Sequence, residues 1–130
     1  MTCLVTRVTT TALVVAVAAG IWWLVVPRTD FVPTKSDISS YATQSVNSRD
    51  LILRSSTLGS GDKALRAVVV RESASTVVVA MSYERFECNG CAQTAQAFIG
   101  TVTVHLHDPL GRRAVLDDFT HRAVKYRKLP

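Results

Sequence analysis

Acidic residues are missing from both ends of this chain: none precedes Asp30, and none occurs in residues 121–130. Other absences narrow the chemistry. No Gly-x-Ser-x-Gly elbow is present, so the nucleophile turn of the α/β-hydrolases is excluded. The stretch Gly59-Ser60-Gly61-Asp62-Lys63 lacks the Gly-x-x-x-x-Gly-Lys-Ser/Thr order of a phosphate loop and reads as a turn. Strand patterns do not alternate with helical ones, which argues against a βαβ sheet. No repeat of solenoid length is visible. Cysteine is confined to Cys3, Cys88 and Cys91 and histidine to His105, His107 and His121, in no standard zinc-finger spacing.

What is present begins with a long apolar run. Residues 13–26 are apolar without a break, and widening to 8–26 adds only Thr9, Thr10 and Thr11 as polar side chains. A helix rises about 1.5 Å per residue, so about 20 residues cross a hydrocarbon core of about 30 Å. Threonine hydroxyls in such a helix bond back to its carbonyls. Trp22 and Trp23 suit the membrane interface, with Arg28 just beyond them, and Pro27 stops the helix. The expected organisation is a cytosolic stub over 1–7, a transmembrane signal-anchor helix over 8–27, a linker over 28–49 and an exported domain over 50–130. That places the protein in the plasma membrane as a single-pass chain with its C-terminal domain extracytoplasmic. The basic flanks nearly balance, with Arg7 before the run and Arg28 and Lys35 after it, so the orientation rests on the shortness of the N-terminal tail. A cleaved signal peptide is the competing reading, since Ala16-Val17-Ala18 fits the small-x-small pattern. Cleavage there would strand the apolar residues 20–26 at the new N-terminus.

The remainder is one domain's worth of chain. Its net charge is mildly positive within a total of +5, and Arg122, Lys125, Arg127 and Lys128 concentrate it at the C-terminal end. Residues 28–49 are rich in serine, threonine and proline and poor in apolar groups, the composition of a tether; Val32, Ile38, Tyr41 and Val46 are the side chains able to dock one side of it.

From residue 51 the pattern is that of strands. Residues 67–72 and 76–86 are β-branched runs joined by Ser73-Ala74-Ser75, which reads as a hairpin. Alternation puts Val77, Val79, Met81 and Tyr83 on one face. In residues 98–107, Val102, Val104 and Leu106 point one way and Thr103, His105 and His107 the other. Asp108-Pro109-Leu110-Gly111 has proline second and glycine fourth, as a type I turn prefers. Residues 113–116 return as a strand, and 120–128 form a last edge strand with Val124 and Tyr126 on one face. The fold class that follows is mainly β: a transmembrane helix, then a small antiparallel sandwich or meander.

Residues 51–53, a Gly-rich turn, Ala67-Val68-Val69-Val70-Arg71-Glu72-Ser73 and Val77-Val78-Val79 are followed by Asp108-Pro109-Leu110-Gly111-Arg112-Arg113-Ala114-Val115-Leu116-Asp117. Over about residues 50–124 this pattern resembles a group of small exported β domains of actinobacteria, membrane-anchored or secreted, that carry a D-P-L-G-x-R-x-V-x-D segment. The resemblance implies export and a β fold, and it brings no catalytic residues. Members often have a cysteine in the Gly-rich turn, which this chain lacks.

Cys88-Asn89-Gly90-Cys91 is the sharpest local feature. Asn-Gly favours a two-residue type I′ turn, which sets the cysteines opposite each other at about 5.5 Å between Cα atoms, within disulfide range. A turn-closing disulfide is expected in an oxidising compartment. Two other readings stay open. A redox pair needs its first thiol at a helix N-terminus, whereas a strand bearing Glu84 and Glu87 precedes it here. A metal site would join Cys88 and Cys91 to His105 and His107, or to His121. The histidine pair otherwise reads as solvated surface. Asp117 and Asp118 face opposite sides of a strand and, with His121, read as a solvated turn. The basic residues Arg122, Lys125, Arg127 and Lys128 offer contact with an anionic surface, at about 1 kcal/mol per cation.

Together these features point away from an enzyme and from nucleic acid. They point to an interaction module that uses no cofactor and whose partner is another membrane or envelope protein, an accessory or scaffold subunit. A metal or redox protein and an anionic-lipid or envelope binder are the alternatives.

Overall fold

The computed structural model describes residues 28–91 and 96–130. The stub and helix expected before Arg28, with Trp22 and Trp23, lie outside the described residues. Among those residues no helix is long and apolar enough to cross a membrane. The core and surfaces below belong to one compact unit, Asp30–Glu87 with Ala92–Pro130.

Seven strands follow one another: β1 (Arg28–Ser36), β2 (Ile38–Ala42), β3 (Asp50–Gly59), β4 (Lys63–Glu72), β5 (Thr76–Asn89), β6 (Ala97–His105) and β7 (Ala114–Asp117). β2, β3 and β6 form a three-stranded antiparallel sheet in that order. In the other sheet β5 pairs with β4, β1 and β7. Both β4 and β7 are in register with Val77, Val78 and Val79, so they occupy opposite edges of β5. The β4–β5 hairpin is closed as expected: the Ser73 N–H donates to the Thr76 carbonyl at 2.8 Å, and the Thr76 N–H donates to Ser73 Oγ at 3.0 Å.

Alternation builds the core. Val77, Val79 and Met81 of β5 and Val115 of β7 meet Leu51 and Leu53 of β3, Val104 of β6, and Leu106. Leu65, Ala67 and Val69 of β4 pack against this cluster from the edge. Burying each of the larger side chains contributes about 1.5–3 kcal/mol. Thr103, His105 and His107 are exposed, as the alternation requires.

Four expectations are corrected. Residues 28–49 are not a linker through most of their length, because they supply β1 and β2. Burial there is carried by small residues, with Ser36, Ser40 and Ala42 as enclosed as Ile38, so low apolar content was a poor guide. One pair, β5 with β7, is parallel. β7 reaches β5 through a connection that leaves the other sheet, and no hairpin links the two, so nothing forces an antiparallel return. Residues 120–128 form only isolated bridges, Ala123 to Leu116 and Tyr126 to Tyr41; Val124 is buried while Tyr126 is 56% exposed. Finally, the hydrogen-bonded turn lies at 110–113 instead of 108–111: the Arg113 N–H donates to the Leu110 carbonyl at 3.2 Å, with Gly111 at φ 59°. Positive φ at this second turn position is what glycine supplies without steric cost.

Candidate functional site

The outer face of the four-stranded sheet leaves apolar side chains uncovered on regular structure. Val68 and Val70 of β4 are 57% and 52% exposed. Beside them Val78 of β5 and Leu116 of β7 floor a recess whose wall is Val70 and whose rim is Arg71, Asp118 and His121. The geometry is local in origin. Val78 and Leu116 are in direct register across the parallel pair, and the alternation that turns Leu65, Ala67 and Val69 inward leaves Val68 and Val70 outward. On β6, Phe98 and Ile99 are 45% and 56% exposed as well. A β surface with an apolar floor and a charged rim is suited to covering by another protein.

Two polar hubs hold this surface in place, and reading the sequence did not find either. Arg113 pairs with Glu72 at 2.8 Å, and the same guanidinium donates to the carbonyls of Asp108, Pro109 and Leu110. Glu72 also accepts the His107 N–H at 2.7 Å, so the end of β4 is tied to the segment leaving β6. The Arg113 guanidinium, and after it the His107 amide, hold the Glu72 carboxyl below its ordinary value of 4.5. The second hub is Asp117, which is buried and not in a solvated turn. Its carboxylate accepts the Ile38 N–H at 3.1 Å, the Phe119 N–H at 2.9 Å and the Thr120 hydroxyl at 3.0 Å. The only sequence signal for either was the D-P-L-G-x-R-x-V-x-D segment: its arginine, valine and last aspartate are Arg113, the core residue Val115 and Asp117.

The residues singled out from sequence fall in separate places. Cys88 and Cys91 stand at disulfide-bonding distance with Cα atoms 5.6 Å apart. The turn between them has positive φ at Gly90 and not at Asn89, so it is not the expected type I′. His105 Nδ1 lies 2.8 Å from Asp50 Oδ1, and His107 Nδ1 lies 3.3 Å from Asp108 Oδ2, all exposed. Among the described residues no group of three or more His, Cys, Asp or Glu side chains is placed to hold a metal ion.

The basic tail runs along the edge of β2. The Tyr41 N–H donates to the Lys125 carbonyl at 2.9 Å, the Arg127 N–H donates to the Tyr41 carbonyl at 2.7 Å, and the two tyrosine rings meet edge-on with centroids 5.6 Å apart. Burial, and secondarily Tyr126, push the Tyr41 hydroxyl above its ordinary value. Arg122, Lys125, Arg127 and Lys128 are exposed and form no ion pair among the described residues. No protein-family model matches the chain, nor does any curated protein or solved structure.

Proposed function

We propose that this chain is a membrane-anchored, extracytoplasmic interaction domain without enzymatic activity, an accessory or scaffold subunit that docks on a larger membrane protein. The observation that carries this reading is the uncovered apolar face on β4, β5 and β7, with Val68 and Val70 exposed over the Val78–Leu116 floor. Exposed apolar patches rimmed by polar groups mark protein contacts. The apolar run at residues 8–26 supports the anchor and holds such a face close to other membrane proteins.

The test is co-purification of the full chain from gently solubilised membranes, wild type beside Val68→Lys. A lysine on an exposed strand position changes stability by about 0.5 kcal/mol or less, so the fold is retained. A charge placed at the centre of an apolar interface weakens binding about thirtyfold or more. A stoichiometric membrane partner, retained by wild type and absent from the variant, is the expected result. A monomeric wild-type protein, or equal recovery of the partner with Val68→Lys, would overturn the reading.

A further inference from the structure

On the opposite side of the domain, the tail and β3 enclose a recess of about 200 Å³. Ala42 and Ile52 form its apolar floor, Arg54 and Thr101 stand on one side, Arg127 and Lys128 on the other, and Leu129 and Pro130 complete the lining. Arg54 is far from the tail in sequence. The two are brought together by the paired main-chain bonds that fix Lys125 and Arg127 to Tyr41, one strand away from Arg54. No carboxylate side chain lines the recess. Arg54, Arg127 and Lys128 form no ion pair among the described residues. Three cations outside any ion pair thus gather around one small cavity, an arrangement that suits an incoming anion.

We propose that this recess binds a phosphate-bearing group, as an anionic phospholipid headgroup or a soluble phosphate. Arginine's planar fork matches phosphate oxygens in pairs, lysine adds a point charge, and the Thr101 hydroxyl adds a further donor. The volume admits a headgroup or a free phosphate, and the apolar floor receives carbon next to it. The site is separate from the apolar face on the other sheet and does not rest on that reading.

The experiment uses the full chain in uncharged maltoside micelles, with the Thr101 and Lys128 amide resonances as local reporters. It is titrated in one arm with inorganic phosphate and in the other with short-chain phosphatidylglycerol. Saturable binding is expected in at least one arm. Arg54→Gln and Arg127→Gln should each weaken it about tenfold, the loss of a charge-assisted hydrogen bond, and Arg54→Lys should restore most of it. Saturation by phosphatidylglycerol alone identifies a lipid headgroup as the ligand; equal saturation by inorganic phosphate identifies the soluble group. If the Arg127 variant loses binding while Arg54→Gln keeps wild-type affinity, the attraction is diffuse and no site exists. Failure of either probe to saturate overturns the proposal as well.

Discussion

A single buried carboxylate, Asp117, satisfies two backbone amides and a hydroxyl from three different residues. Its replacement leaves the buried Ile38 N–H without an acceptor, at about 1–3 kcal/mol, and removes two part-buried bonds worth about 1 kcal/mol each. Asp117→Ala is therefore expected to destabilise the domain by about 2–4 kcal/mol, read as the midpoint shift in chemical denaturation; a loss under about 1 kcal/mol would mean that water takes over the acceptor role. Ser55 does similar work at smaller scale. At the bulge between Arg54 and Thr57 its hydroxyl accepts the Gly100 N–H at 2.8 Å and donates to the Gly100 carbonyl at 3.3 Å, replacing the interrupted ladder. A Cβ at Gly100 would meet the end of the Leu65 side chain, so any larger residue there requires Leu65 to shift.

Among the elements, β4 is tied at its end by one side chain. Glu72 joins it to Arg113 and to the segment after β6, and its carboxyl is held below its ordinary value. A depressed carboxyl contributes stability that is complete above the unfolded value of 4.5 and is lost as the pH falls below that through the lower folded value. Glu72→Gln is expected to flatten the acid side of the stability–pH curve below 4.5 while lowering stability at neutral pH. An unchanged acid limb would remove Glu72 from that role. The strands themselves were legible: the β4–β5 hairpin, the inward faces of β5 and β6, and the Gly59–Asp62 turn all follow from alternation and turn residues. What alternation could not reach were features made by side chains acting on distant backbone. β1 and β2 were hidden because serine and alanine fill their inner positions, and Asp117 and Arg113 because a buried carboxylate and a clasping guanidinium look like surface charge in a sequence. The cationic recess was half legible, since the tail's cations stood out but Arg54 joins them only through the pairing of Tyr41 with Lys125 and Arg127.

For the molecule as a whole, the Cys88–Cys91 pair closes so short a loop that its bond adds little. Loop-closure entropy assigns it about 2 kcal/mol or less. Reduction is expected to lower the thermal midpoint by less than Asp117→Ala does, a comparison made by calorimetry with and without reductant; a larger drop would give the bond a structural part beyond its loop. The tail has the greater reach. Val124 enters the core, the Val124 N–H bonds the Val115 carbonyl at 2.8 Å, and Lys125 and Arg127 close the edge of β2, which was made some eighty residues earlier. Contacts between such distant stretches are slow to form because the loop between them must close first. During synthesis β1 to β7 all precede the segment that brings Val124 to the core, so the edge of β2 has no cover until residues 123–127 follow.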